Sequence, residues 1–214
     1  MKTSIVKKER RIKGAYIVYE GIRRAFLFGL NIRPILEALD AKPGDRILDA
    51  GCGYGFFSKY LGHCDYVGID NDPERIGRAI KNFGEAPRRK FIVGDVCNTN
   101  FLKDSFNKAL CYGLLHHLSD ADAQLCLAET SRIVTGNVVF SDPVHSEYHF
   151  INNLLCRLDE GKFVRDPEAY MEICRKQFII NSVRCFHSNN YLAQYFLMVA
   201  SKKVNPVTGN AING

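Results

Sequence analysis

The amino-acid sequence predicts an α/β fold: a doubly wound, seven-stranded, mostly parallel sheet with an antiparallel last strand and helices on both faces. Strand-like and helix-like segments alternate along the chain. The first five strand candidates are short and almost continuously apolar, as strands buried on both faces must be. The last two are joined by too few residues for a parallel crossover, so they must form a hairpin. The candidates cover residues 46–51, 66–70, 90–95, 108–114, 137–142, 180–187 and 194–201.

Two helices between these strands carry signals at their ends. The first has Asn71 or Asp72 as its N-cap, Pro73 as its first helical residue and Gly84 as its stop. We therefore expect a helix between the second and third strands.

The second helix begins after Ser119, which stands three residues before Asp122 in the spacing of a capping box. Ala121, Leu125 and Ala128 fall on one side of this helix, and we expect them to form its apolar face. This helix connects the fourth and fifth strands.

The length of 214 residues fits one domain with a substantial core. We expect a basic tail and N-terminal cap helices over residues 1–40, the main domain over 41–204 and a small polar tail over 205–214. An insertion at about residues 143–165 is not needed by the sheet, so it is a candidate lid on the ligand-binding side.

The formal net charge of +6 is concentrated at one end, because residues 1–13 hold six basic groups against one acidic group. The rest of the chain holds 23 basic and 22 acidic groups, without the broad basic face expected of a duplex-binding protein. A solvated tail is the expected role of this segment. Arg23 and Arg24 accompany aromatic residues beyond it, so weak contact with an anionic membrane surface stays open as an alternative.

Eight cysteines, never closer than ten residues apart, exclude a C-x-x-C zinc or redox unit. Several lie in apolar runs, the common place for free cysteines in a reducing compartment. There is no apolar N-terminal signal region and no uninterrupted apolar stretch of the roughly 20 residues that a membrane span needs. These patterns predict a cytoplasmic enzyme or binding protein.

Residues 46–57 read RILDAGCGYGFF, with Gly51, Gly53 and Gly55 at alternate positions behind an apolar run. Glycine permits positive φ and has no Cβ, so such a turn lets a ligand contact the main chain. The dinucleotide fingerprint G-x-G-x-x-G fails here, because its third glycine would have to stand at Phe56. The pattern therefore indicates a ligand without a pyrophosphate.

The segment LDAGCGYG resembles the first motif of the class I S-adenosylmethionine-dependent methyltransferases, which is an acid, one residue and then G-x-G-x-G at the end of the first strand. The resemblance continues in order over residues 43–202: Asp70 ends the second strand, Asp95 ends the third, and YGLLHHLSD follows the fourth. It implies a Rossmann-like fold, S-adenosylmethionine as the cofactor and methyl transfer as the activity.

The same resemblance implies which residues hold the nucleoside. Asp70 stands 21 residues beyond Asp49, near the offset of about 20 at which an acid meets ribose hydroxyls in this architecture. Asp95 would accept from the adenine amino group, with Val96 supplying a backbone amide and Asn71 beside the adenosine. Aspartates at strand ends also cap turns, which is the alternative reading of each.

The methionine part of the cofactor would be held by Asp49 and by the main chain near Tyr112 and Gly113. The glycine-rich cradle that the resemblance implies is made of Gly51, Cys52, Gly53 and Gly55.

Methyl transfer requires alignment and, for an acceptor that must lose a proton, a base. His116 and His117 follow the fourth strand, and His145 follows the fifth. We take His117 as the first candidate base, while a purely structural or cofactor-contacting role for the pair is the alternative. His145 and His149 could share a helix face, but no third metal ligand stands at a recognisable spacing, so no metal is expected.

Loops at the carboxyl ends of the strands are where open α/β sheets bind ligands. The candidates for acceptor contact are Tyr16, Tyr19, Asp142, His145, Tyr148 and His149. Tyr16 and Tyr19 belong to a stretch that could equally pack into the core as an amphipathic helix.

The expected function is methylation of a small molecule through an oxygen, nitrogen or carbon atom. The Asn-Pro-Pro-Tyr motif of adenine-N6 and glutamine methyltransferases is absent, since the corresponding place reads CYGLLHH. An RNA or protein acceptor is the first alternative, with the basic tail as a contact. A non-catalytic cofactor-binding or scaffold protein is the second, because a fold does not fix a function.

Overall fold

The computed structural model describes residues 30–146, 150–158 and 161–203. Its centre is a seven-stranded sheet in the order β3-β2-β1-β4-β5-β7-β6. The strands are β1 Arg46–Ala50, β2 Asp65–Asp70, β3 Arg89–Val93, β4 Lys108–Tyr112, β5 Asn137–Pro143, β6 Phe178–His187 and β7 Gln194–Lys202. All seven strand predictions are therefore confirmed within a few residues at each end.

The first five strands pair in parallel, and β7 pairs antiparallel with both β5 and β6. The predicted hairpin and the antiparallel last strand are confirmed. The strand β7 lies between β5 and β6, so β6 takes the edge of the sheet. The strand order reverses between β1 and β4, and this reversal opens a crevice at the carboxyl ends of these strands.

Five α-helices are described in the same residues as the sheet. They are α1 Arg33–Leu39, α2 Pro73–Phe83, α3 Asp120–Ile133, α4 Phe150–Leu158 and α5 Pro167–Arg175. Short 3-10 helices at Phe56–Lys59 and Leu115–His117 follow β1 and β4. The helix α1 lies within the predicted N-terminal cap region, and α4 lies within the predicted insertion.

The cap predictions for α2 and α3 are confirmed. The Asp72 carboxylate accepts from the amides of the first turn of α2, and Gly84 ends that helix at φ +68°. Ser119 accepts from the amide of Asp122 at 3.2 Å. Both helices begin where a side-chain oxygen replaces the missing backbone acceptors of the first turn.

The predicted apolar face of α3 is wrong. Ala121, Leu125 and Ala128 are exposed. The residues of α3 that pack against the sheet are Ala123, Cys126, Leu127, Thr130 and Ile133. Small and apolar residues occur on both sides of this helix, so spacing alone does not select the buried side; contact with the sheet does.

The core lies on both faces of the sheet. One apolar cluster joins β1, β4 and β5 to α3 and α5, and a second joins the opposite face to α1 and α2. Neighbouring residues Ile47 and Leu48 belong to different clusters, as the alternation of side chains along a strand requires. Among the described helices, none is both long and apolar enough to cross a membrane.

Candidate cofactor and acceptor site

The glycine-rich loop after β1 bends by positive φ at each of its three glycines. The φ angles are +72° at Gly51, +52° at Gly53 and +75° at Gly55. A Cβ on Gly55 would lie 2.7 Å from a ring carbon of Phe91, so this glycine is required by packing as well as by φ. A Cβ on Gly53 would meet nothing within 4 Å. The main chain at Gly53 therefore borders open space at the crevice.

Asp70, at the end of β2, fixes this loop and remains an acceptor. One carboxylate oxygen accepts from the amide of Gly53 at 2.9 Å, and the other accepts from the amide of Asp72 at 3.0 Å. The side chain is buried, with 5% of the residue exposed. Each carboxylate oxygen has a second lone pair, so the turn-forming role and a role toward a ligand hydroxyl are compatible.

Asp49, at the end of β1, is a buried acid with one short hydrogen bond. The Tyr66 hydroxyl donates to its Oδ2 at 2.6 Å, and only 2% of Asp49 is exposed. Burial raises the pKa of Asp49 to about 7 against the opposing effect of Tyr66, and the nearby charge of Asp70 raises it further. A cation placed beside Asp49 would favour its ionised form.

A histidine–aspartate pair lies at the carboxyl ends of β4 and β5. The ring Nδ1 of His116 lies 2.7 Å from Oδ1 of Asp142, and the same oxygen accepts from the His116 amide at 3.1 Å. Because a carboxylate only accepts, the ring N–H is the donor. Asp142 is 0% exposed and His116 is 3% exposed. The neighbouring His117 is exposed, and its ring centroid lies 4.0 Å from that of His116.

Residues 161–165, which we call the strap, cover His116. The Phe163 amide donates to the His116 carbonyl at 2.9 Å. The backbone of Gly161 packs so tightly on the imidazole that a Cβ there would lie 1.8 Å from Cδ2 of His116. His116 is therefore enclosed between Asp142 and the strap.

Arg165 fastens the strap to the turn after β4. Its guanidinium donates to the carbonyls of Leu115 and Leu118, each at 2.8 Å, and to the Asp120 carboxylate at 2.7 Å. The sequence analysis missed Arg165. No local pattern marks it, because these partners lie 45 to 50 residues earlier in the chain.

Known proteins that resemble this chain are methyltransferases. Residues 47–137 match the sequence model of a family described as a methyltransferase domain. The solved structure of an S-adenosylmethionine-dependent methyltransferase from Methanosarcina mazei matches with a TM-score of 0.66 at 17% identity, over 80% of this chain and 98% of that one. Residues 47–137 therefore match a methyltransferase domain, and the sheet with its helices has the fold of a solved S-adenosylmethionine-dependent methyltransferase.

Curated relatives match over shorter stretches. A methyltransferase of unknown function from Synechocystis sp. is 28% identical over 108 residues, which are 50% of this chain and 50% of that protein. A 23S rRNA (uracil-C5)-methyltransferase from Aromatoleum aromaticum is 42% identical over 55 residues, which are 25% of this chain and 13% of that protein. The chain spans 24% to 50% of the length of the first curated relatives that it matches.

The solved neighbour from Methanosarcina mazei is an S-adenosylmethionine-dependent methyltransferase, and the residues at the crevice of this chain fit that cofactor. The open main chain at Gly53 leaves room for a ligand. Asp49 and Asp70 are acids, as a cationic amine and a pair of ribose hydroxyls require. The thiol of Cys52 packs over Gly68 and is buried, and burial raises its pKa. Cys52 can therefore offer its main chain to a ligand, whereas its thiol is poorly suited to act as a nucleophile.

On the predicted adenine side, the side chains are more open. Asn71 and Asp95 are exposed, and Val96 is half-buried against the core. Oδ1 of Asp95 accepts from the amide of Cys97 at 2.8 Å, so the Asp95 side chain closes a turn after β3.

Tyr112 ends β4 and Gly113 follows it, beside the point where the strand order reverses. Gly113 has φ +61°, and its amide donates to the Ser141 carbonyl at 2.8 Å. The ring centroid of Tyr112 lies 5.2 Å from that of Phe57. The chain turns away from the sheet here, which ends β4 at Tyr112, two residues before the predicted end.

The predicted acceptor residues have different placements. His145 is exposed just after β5. Asp142 is wholly buried and bound to His116, so its observed contact positions that side chain and does not line an open surface. The other four predicted residues, Tyr16, Tyr19, Tyr148 and His149, lie outside the described residues. In the described ranges, no group of three or more metal-ligating side chains comes together.

Proposed function

We propose that this methyltransferase-family protein transfers a methyl group from S-adenosylmethionine to a small-molecule acceptor by in-line displacement. The observation that carries the proposal is the open crevice at Gly53, bounded by the acids Asp49 and Asp70 at the ends of adjacent strands. When bound, S-adenosylmethionine supplies a methyl group already activated on a sulfonium. The protein then has to bind, orient and deprotonate, which its own side chains can do.

On the cofactor side, we assign the ribose hydroxyls to Asp70 and the methionine ammonium to Asp49. The adenine would be read by Asp95 and by the main chain at Val96, with Asn71 beside the adenosine. The geometry supports the assignment of Asp70, because its carboxylate accepts from the Gly53 amide at 2.9 Å and therefore lies directly against the glycine cradle. The main chain at Tyr112 and Gly113 would complete the ammonium site.

On the acceptor side, we assign the proton-accepting role to His117. It is exposed at the turn after β4, whereas His116 is enclosed by Asp142 and the strap. A base must lie within hydrogen-bond reach of the proton it removes, so the exposed ring is the better candidate. His116 and Asp142 would then position His117 by fixing the turn that carries it.

The insertion supports a small acceptor. The strap and Arg165 cover the turn after β4, and this cover would narrow the approach to a methyl group held beside that turn. The helix α4 and the strap also present exposed apolar side chains at Phe150, Ile151, Leu154 and Phe163. A partly apolar small molecule would find a matching surface there.

RNA is the second candidate acceptor, favoured by the 42% identity over 55 residues to a 23S rRNA methyltransferase. The basic groups of residues 1–13 would be available for phosphate contacts. The two candidates differ in salt dependence, since phosphate-dominated binding weakens steeply as ionic strength rises.

The test is a transfer assay with methyl-labelled S-adenosylmethionine and three acceptor pools: a small-molecule library, total RNA and a protein extract. We expect label in the small-molecule pool, a product heavier by one methylene group in mass measurement, and nearly constant rates over the range of about 50 to 200 mM salt. Label in the RNA pool that falls steeply with salt would favour the second candidate. Binding of S-adenosylhomocysteine with no transfer to any pool would indicate a non-catalytic protein.

A further inference from the structure

A pair of cysteines lies beside the predicted adenine loop. Cys97 is half-buried in the loop after β3, two residues beyond Asp95, and Cys126 is 0% exposed in α3. Cys97 packs against the apolar cluster that contains Cys126, and each thiol has the largest effect on the pKa of the other. The sulfur of Cys97 also lies 3.5 Å from the carbonyl of Asp122, one helical turn before Cys126. The two side chains therefore come together where the loop packs on α3.

The two cysteines differ in reactivity. The hydrogen bond from Cys126 lowers the pKa of Cys97, against the opposing charges of Asp95 and Asp122. The same hydrogen bond, together with burial, raises the pKa of Cys126. Cys97 is also the more exposed of the two, so a small oxidant reaches it first.

We propose that Cys97 and Cys126 are an oxidation site and form a reversible intramolecular disulfide. With hydrogen peroxide as the oxidant, the Cys97 thiolate attacks one peroxide oxygen, the O–O bond breaks and Cys97 becomes a sulfenic acid. The hydroxide that leaves takes up the proton that the Cys97 thiol released, which gives the first water. The Cys126 sulfur then attacks the Cys97 sulfur, the S–O bond breaks, and hydroxide leaves with the Cys126 proton as water. Two thiols lose two electrons in total, and one peroxide becomes two waters.

The disulfide would act on the cofactor site through Asp95, and this consequence rests on the proposed function. The Cys97 amide donates to Asp95 Oδ1 at 2.8 Å, and the Asn98 amide donates to the Asp95 carbonyl at 3.2 Å. A disulfide holds its two sulfurs about 2 Å apart, closer than hydrogen-bonded thiols, so oxidation draws Cys97 toward α3. We expect Asp95 to move with it, because these hydrogen bonds tie the carboxylate of Asp95 to the amide of Cys97 and its carbonyl to the amide of Asn98.

The test uses the whole protein, treated with hydrogen peroxide and compared with the dithiothreitol-reduced form. Peptide mapping should find a Cys97–Cys126 linked peptide, and calorimetric titration should find S-adenosylhomocysteine bound about fivefold to tenfold more weakly after oxidation. Reduction should restore the affinity. Cys97→Ser should abolish both the linkage and the redox effect, and because this position is half-buried it tests the pair without the buried Cys126→Ser change.

Cys185→Ser is the matched control, since Cys185 is an exposed cysteine on the edge strand β6. It should respond to peroxide as the unmodified chain does. Absence of the linked peptide in folded, peroxide-treated protein overturns the oxidation site. A linked peptide with unchanged affinity overturns its coupling to the cofactor site. If the reduced protein does not bind S-adenosylhomocysteine, the proposed function fails while peptide mapping still decides whether the disulfide forms.

Discussion

The cofactor side and the acceptor side of the crevice are built in different ways. On the cofactor side, backbone groups of one loop are held by the next strand: the Cys52 amide donates to the Ile69 carbonyl at 3.0 Å, and the Gly53 amide donates to Asp70 at 2.9 Å. On the acceptor side, long side chains reach across the fold, as Asp142 does to His116 and Arg165 does to Leu115. The first arrangement joins a sequence motif to the next strand along the chain, 17 residues away, whereas the second joins side chains to groups 26 and 50 residues away. Changes on the acceptor side should therefore alter turnover and leave cofactor affinity in place.

The largest effect is expected at His117. His117→Gln should lower kcat by about two to three orders of magnitude for an acceptor that loses a proton, because a positioned base contributes at this level. The affinity for S-adenosylhomocysteine should stay within about twofold, since His117 is assigned to the acceptor. Steady-state kinetics and calorimetric titration measure the two quantities.

The control for His117→Gln is His63→Gln. His63 is also exposed, but it lies just before β2, at the amino ends of the strands and away from the crevice at their carboxyl ends. Its kcat should equal that of the unmodified protein. If His117→Gln retains its full kcat, the assignment of the base is wrong.

The second prediction concerns two glycines of the loop after β1, Gly53 and Gly55. Gly55→Ala should lower the free energy of unfolding by about 3 kcal/mol, because it combines an unfavourable positive φ with overpacking against Phe91 at 2.7 Å. Gly53→Ala should cost only about 1 kcal/mol, since its Cβ meets nothing within 4 Å, but it should weaken cofactor binding. Denaturant unfolding and titration separate the two effects.

Gly77→Ala is the matched control for both changes, because Gly77 lies inside α2 with no atom within 4 Å of the added Cβ. It should stabilise the protein by up to about 1 kcal/mol, as alanine favours a helix over glycine. If Gly53→Ala and Gly55→Ala lower the free energy of unfolding equally, the open space beside Gly53 does not make that position tolerant of a Cβ, and the prediction is wrong.

The third prediction concerns the ribose assignment. Asp70→Ala should weaken S-adenosylhomocysteine binding about 30-fold, the loss expected when charge-assisted hydrogen bonds are removed. Asp65→Ala, at the other end of the same strand, should leave affinity unchanged because its carboxylate pairs with Arg88 at the surface. Unchanged calorimetric affinity in Asp70→Ala would refute ribose binding by this residue.

The smallest effect is a pH dependence set by Asp49. Its pKa in the free protein is raised to about 7, so below pH 7 a bound ammonium must displace a proton from it. Affinity for S-adenosylhomocysteine should therefore rise about tenfold from pH 6 to pH 8 and then level off. Titrations across this range measure the rise directly.

The same raised pKa has the opposite effect on folding stability. The folded state keeps the Asp49 proton longer than the unfolded state, so this contribution to stability is complete below the ordinary carboxyl range and is lost as pH rises to about 7. Tyr66→Phe is the companion variant, because the Tyr66 hydrogen bond lowers the pKa of Asp49. It should move the rise in affinity to higher pH, and a midpoint unaffected by this change would contradict the role of Asp49.

Some parts of the fold could be predicted from the sequence and others could not. The strands and the starts of α2 and α3 were predictable, because continuous apolar runs, Asp72 and Ser119 act within a few residues. The buried side of α3 was not, since Leu125 is as apolar as Leu127 and only contact with the sheet separates them. Arg165 gave no signal at all for the same reason, as its partners come from a distant part of the chain.

The sequence alone determined the positive-φ turn after β1 and the acids at the ends of β1 and β2, because glycine conformation and strand boundaries are local properties. The tertiary structure decided that Asp142 fixes His116, that the strap encloses this pair, and that His117 is the exposed histidine of the two. These choices depend on which side chains meet across 26 to 50 residues of chain, and that pairing is settled by packing of the whole sheet and its helices.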